Sequence, residues 1–120
     1  MKVFLDDERM APKGWITVTS AEDCIALLKL GKVTHLSLDH DLGNPDDGST
    51  GYTVLTWLEE QVFLEKMVPP SVLEVHSANI SAVPKMLAAI AAIEEAYERR
   101  CSPTKVAAYK EASLMGLTDD

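Results

Sequence analysis

This sequence of 120 residues is poor in most of the features that mark a specialised class of protein. It has two cysteines, Cys24 and Cys101, and neither has a second Cys or a His at metal-ligand spacing. That excludes a disulfide framework and a thiolate zinc site, and two separate thiols suit a reducing, cytoplasmic setting. No apolar run reaches 18 residues, so no spanning segment and no membrane partner is expected. The opening Met1-Lys2-Val3-Phe4-Leu5 meets two aspartates at once, too short an apolar start for a secretory leader. Bases are scarce: 11 Lys and Arg stand against 19 Asp and Glu, for a formal net charge of −8, and no basic run occurs. Wide, sequence-independent capture of nucleic acid needs many cations on one face, so that class is excluded as well. A small phosphate ester held through a metal ion is not. Internal repeats and low-complexity segments are also lacking.

What is present is the balance of one soluble globular domain, 47% apolar and 25% charged. A chain of this length buries about two-thirds of its unfolded surface and needs no metal or disulfide staple. Residues 3–5 read as a short buried strand stopped by Asp6-Asp7-Glu8-Arg9. After a loop with Pro12 and Gly14, the β-branched residues 16–19 read as a second strand. Ser20 has the character of an N-cap, with Asp23 three residues on. Ile25, Leu27, Leu28 and Leu30 then give a helix an apolar side that Gly31 ends.

Residues 33–38 predict a third strand, stopped by Asp39-His40-Asp41. A loop over 44–51 leads to a helix over about 50–66, spaced by Tyr52, Val54, Leu55, Leu58 and Val62. Pro69-Pro70 breaks the chain before a fourth strand over 72–75, which ends at His76-Ser77-Ala78-Asn79. Ser81 is the expected cap of a long helix with Pro84 in its first turn. Its stripe is Val83, Met86, Leu87, Ile90, Ile93 and Tyr97. Ser102-Pro103 opens a last, Ala-rich segment expected to be helical.

Alternating strands and helices predict an α/β fold with a mostly parallel sheet sandwiched by helices. The link between the first two strands is too short for a crossover helix. Either an extended loop crosses one face, or the second strand pairs differently.

Ligands of open parallel sheets bind outside the carboxyl ends of the strands. Three strands here end in polar clusters, and neighbouring strands would bring these to one rim. Several carboxylates within a few Å repel unless a cation neutralises them. Oxygen ligands with room for water and a phosphate suit Mg²⁺ or Mn²⁺. Asp6, Asp7, Asp39 and Asp41 are therefore the candidate metal ligands, with Asp39 a possible nucleophile as well. His40 and His76 can carry a proton near neutral pH. Arg9 can grip a phosphate bidentately, and Ser77 and Asn79 can donate to phosphoryl oxygens.

Simpler roles suit other residues. His35 reads as a structural histidine within a strand. Asp46 and Asp47 read as solvated loop, and Trp57, Phe63 and the methionines as helix face or core. Glu94, Glu95, Glu98, Arg99 and Arg100 read as an exposed charged face.

Val18-Thr19-Ser20-Ala21-Glu22-Asp23 leading into a helix, then Leu36-Ser37-Leu38-Asp39, resembles the middle of a response-regulator receiver domain. In that family an acidic pair ends the first strand, the phosphoacceptor Asp the third, and a Ser or Thr the fourth. Asp6-Asp7, Asp39 and Ser77 fall at those places. The set of residues 3–9, Leu38-Asp39-His40-Asp41-Leu42-Gly43, Gly51-Tyr52 and His76-Ser77-Ala78-Asn79 more closely resembles the cyclic-phosphate-processing receiver-like domain of bacteria and phages. The resemblance covers about residues 1–95. It implies a receiver-like, flavodoxin-like three-layer sandwich over 1–100, with the first crossover helix and the fifth strand missing, followed by a C-terminal helical extension over 101–120.

The resemblance also implies a metal-dependent phosphoesterase acting on a cyclic phosphate, at an RNA end or in a cyclic nucleotide. The Lys that ends a receiver's fifth strand has no counterpart, whereas His40 and His76 are additional. A hydrolase needs proton carriers and a phospho-switch needs that Lys, so the balance favours catalysis. The alternatives are a receiver-like module that binds a nucleotide or protein partner without turnover, and a true phospho-acceptor at Asp39.

Overall fold

The computed structural model describes residues 1–43 and 45–101. The expected C-terminal helical extension beyond residue 101 lies outside the described residues. Four strands and three helices follow one another: β1 (Lys2–Leu5), β2 (Ile16–Val18), α1 (Ala21–Leu28), β3 (His35–Leu38), α2 (Gly51–Phe63), β4 (Val72–Val75) and α3 (Val83–Cys101). Local chemistry sets most boundaries. Ser20 Oγ accepts from Asp23 N–H at the start of α1. Thr50 and Thr53 form a reciprocal capping box at the start of α2. Such caps satisfy N–H groups that have no partner in the first turn.

The sheet runs in the order β2-β1-β3-β4, and all three pairings are parallel. Registered neighbours put Val3 and Leu5 beside Leu36 and Leu38, all fully buried. On the next layer lie Cys24 and Leu28 of α1, Val54, Leu55, Leu58 and Val62 of α2, and Met86, Ile90 and Ile93 of α3. α1 packs on α2 and α2 on α3, so the helices form one continuous layer over that face. Consecutive strand residues point to opposite faces, which turns Phe4 and Ser37 away from the helices. Burial raises the Cys24 thiol to about 12, so it is a core side chain and not a nucleophile.

The short link between β1 and β2 is the extended loop that its length requires, and β2 pairs in parallel with β1. Its last residue, Trp15, lies edge-on to Phe4 and to His35, with ring centroids 6.2 and 6.1 Å apart. The face of the sheet opposite the helices thus meets, at β1, irregular chain carrying a tryptophan, and no helix joins β1 to β2. Among the described residues there are four strands, and no helix is long and apolar enough to cross a membrane.

Some expectations need correction. Asn79, not Ser81, caps the turn that leads into α3: its Oδ1 accepts from Ala82 N–H and its carbonyl from Val83 N–H. Leu30, Leu87 and Phe63 are exposed, Phe63 by 74%. Each holds helical spacing, but Leu30 lies beyond the end of α1, Phe63 is the last residue of α2, and Leu87 turns to solvent beside buried Met86. β3 starts at His35, two residues later than expected, and the N–H groups of Thr34 and His35 both donate to the Met1 carbonyl.

Candidate active site

The carboxyl ends of the strands are level. Asp6 N–H donates to the Val18 carbonyl, Asp39 N–H to Leu5 and His76 N–H to Leu38. Each donor is the first residue beyond its strand, so β1, β3 and β4 deliver Asp6, Asp39 and His76 to one rim in spatial order. Asp6, Asp7 and Asp39 each offer a carboxylate oxygen within 4.8 Å of the others. Asp6 is buried, Asp39 half-buried and Asp7 exposed, so the group opens to solvent on one side.

Two glycines permit this approach. A Cβ at Gly51 would lie 1.9 Å from the Asp39 carbonyl oxygen. Only glycine lets the first turn of α2 rest there, with Gly51 N–H on the His40 carbonyl. Gly43 has φ of +69°, and a Cβ there would lie 2.9 Å from Asp7 Oδ2.

Asp6 is the most constrained of the three acids. Its Oδ1 accepts from the N–H groups of Glu8 and Arg9, and its Oδ2 lies 3.0 Å from His76 Nε2. Burial works to raise its pKa, but the two backbone donors and His76 together outweigh it and hold the carboxyl below the ordinary value. The His76 ring lies back across β3. Its Nδ1 is 2.7 Å from Ser37 Oγ, and its face stacks on Phe4 with 4.1 Å between centroids and 5° between planes.

A second group adjoins the first. His40 Nδ1 is 2.7 Å from Asp41 Oδ1, and the Asn79 amide donates to both Asp41 oxygens at 3.2 and 3.4 Å. The His40 contact, then Asn79, holds the Asp41 carboxyl below its ordinary value. Asp41 therefore belongs with His40 and Asn79 and lies outside the three-carboxylate group. Ser77 Oγ accepts from Asn79 N–H, and Arg9 donates through one guanidinium nitrogen to the His76 carbonyl.

A family model for the cyclic-phosphate processing receiver domain matches residues 1–92. The chain belongs to that family. No curated protein and no solved structure matches it. In this cyclic-phosphate processing receiver domain, the rim gathers every candidate residue named from the sequence: Arg9, the four aspartates, His40, His76, Ser77 and Asn79. What the sequence reading missed lies just beneath. Ser37 and Phe4 both bear on His76, and the available signal was a polar residue alternating with leucines in a strand.

The residues set aside have structural places. His35 bonds Thr34 and faces Trp15, and Asp47 accepts from Ser49 N–H in its own loop. Arg99 pairs with Glu95 on the exposed side of α3, and Arg100 donates to the carbonyls of Val62, in the last turn of α2, and Met67, beyond it.

Proposed function

We propose that this domain is a phosphoesterase, dependent on Mg²⁺ or Mn²⁺, that opens a cyclic phosphate at an RNA end or in a cyclic nucleotide. The observation that carries the reading is the convergence of Asp6, Asp7 and Asp39 in a domain of a cyclic-phosphate processing family. The donor set fits the ion: three carboxylates, all hard oxygen ligands, with no Lys or Arg paired to them among the described residues. Asp6, Asp7 and Asp39 would hold the ion, which when bound supplies charge neutralisation at phosphorus and acidifies a water.

The chain's own groups do the rest. His40 donates Nδ1–H to Asp41, and that fixes the tautomer with a lone pair on Nε2. Nε2 can therefore take the proton of an attacking water as its oxygen bonds to phosphorus. One ring P–O bond breaks, and the released oxygen takes up a proton. The products are a phosphomonoester and a free hydroxyl. Asn79 holds Asp41 in place, so it serves this base from behind. Arg9 keeps guanidinium N–H groups beyond its bond to His76 for the phosphoryl oxygens, and the Ser77 hydroxyl hydrogen is available to them too.

The test is a turnover screen of cyclic mononucleotides, cyclic dinucleotides and RNA ending in a cyclic phosphate, with Mg²⁺ or Mn²⁺. Asp39→Asn should lower the rate on a responsive substrate by about a hundredfold or more, the scale for losing a transition-state charge contact. Equal rates in the two proteins would reject the site. Tight binding with no product would identify a binding module instead.

A further inference from the structure

Ser37 is out of keeping with its surroundings. It is 3% exposed, in the middle of β3, between two fully buried leucines. A hydroxyl at such a depth costs stability unless it is hydrogen-bonded. Its partner is His76 Nδ1, and the other nitrogen of that ring reaches Asp6 Oδ2. The three side chains come from three adjacent strands or strand ends, and they form one line from the sheet face to the acidic rim.

Each link removes one freedom. Phe4 holds the plane of the imidazole by stacking on it. Ser37 sets the rotation of the ring within that plane. Asp6 is a carboxylate that can only accept, so Nε2 carries the hydrogen between them. With Oδ1 pinned by Glu8 and Arg9 N–H, the orientation of the Asp6 carboxylate is fixed from both oxygens. Both His76 nitrogens are engaged, so this histidine is not the proton carrier, and that task falls to His40.

We infer that Ser37 is a positioning residue: acting through His76, it locks the Asp6 carboxylate in the orientation that lets Asp6, Asp7 and Asp39 share one divalent cation. The inference rests on the reading of those three acids as a cation site. Carboxylates that ligate metals are commonly held by hydrogen bonds of this kind, and losing such a support lowers metal affinity about 10- to 100-fold.

The test is a double-mutant cycle read by Mn²⁺ binding, with free Mn²⁺ followed by electron paramagnetic resonance and folding checked by thermal unfolding. The proteins are the parent, Ser37→Ala, His76→Phe and the double variant. His76→Phe keeps a ring to stack on Phe4 and deletes both nitrogens. Ser37→Ala should weaken Mn²⁺ binding about tenfold, and His76→Phe at least as much. The double variant should bind no more weakly than His76→Phe, because a residue acting only through another has no effect once that one is gone. A general structural role for Ser37 would instead add its loss in both backgrounds.

Ser37→Ala with the parent's affinity, or with an undiminished loss in the His76→Phe background, overturns the inference. If Ser37→Ala does not fold, His76→Phe decides alone, and parental Mn²⁺ affinity there overturns it equally. A parent protein that binds no Mn²⁺ overturns the cation site itself and this inference with it.

Discussion

The two faces of the sheet are held by different physics. On the helix face, Val3, Leu5, Leu36 and Leu38 lose all exposure beneath three helices. The stabilising effect there is burial of apolar area, which is non-directional and tolerant of detail. On the other face, Phe4 and Ser37 meet a histidine ring, a tryptophan edge and a buried carboxylate. Those contacts are directional, and each depends on its partner's orientation. The difference assigns stability chiefly to one face and the shape of the site to the other. β1 and β3 join them, because each sends alternate side chains to both.

Leu36→Ala is the sharpest way to test that division. Leu36 is fully buried on the helix face, and truncating such a leucine costs about 2–5 kcal/mol. Chemical denaturation should show the loss. Mn²⁺ affinity of the protein that remains folded should match the parent's. Asp39→Asn should do the reverse, lowering turnover about a hundredfold or more with little change in thermal unfolding. If Leu36→Ala alters metal affinity as much as stability, the two faces are not separable and the comparison fails.

The rim was legible in the sequence and the lattice beneath it was not. Asp6-Asp7, Asp39 and His76 follow short strands built mainly on Val, Leu and Phe, so a strand reading alone delivers them to the carboxyl edge. Parallel order then follows from the alternation of elements. Ser37 and Phe4 are different. That they share a face can be read from alternation, but that His76 folds back between them depends on the register of β1, β3 and β4. Short strands do not fix that register locally. The Asn79 cap was hidden for a similar reason, since Asn79 and Ser81 are both good caps and only the path of the turn decides. Leu30, Phe63 and Leu87 show where helical spacing misleads: each fits the apolar period, but Leu30 and Phe63 fall at or beyond a helix end and Leu87 lies on the solvent side of α3.

The directional face should also give stability a pH dependence that the apolar face lacks. Asp6 has its pKa lowered in the folded protein. Unfolded chains therefore bind more protons to it near the ordinary value of 3.8, and stability rises with pH there. Its contribution is fully present above 3.8 and is lost as pH falls through the lower folded pKa. With a chelator present, the stability gap between the parent and Asp6→Asn should be full above pH 3.8 and narrow progressively below it. A gap that widens as pH falls below 3.8 would reverse the sign and remove Asp6 from the stabilising network.

Ser20→Ala is the mildest probe, and it serves as the control that gives the others meaning. Ser20 Oγ accepts from Asp23 N–H at the start of α1, two residues beyond Val18, and it shares no hydrogen bond with the acidic residues of the rim. Losing an N-cap of this kind costs about 1 kcal/mol. In a domain of this size that is a fall of roughly 4 °C in Tm. Mn²⁺ affinity and turnover should not change, because no hydrogen bond joins Ser20 to the Ser37–His76–Asp6 line. A Ser20→Ala protein that lost metal affinity in step with Tm would mean that the rim responds to any loosening of the fold. In that case small losses at Ser37 would also have to be read as stability, and only the non-additivity of the double-mutant cycle would still distinguish positioning from packing.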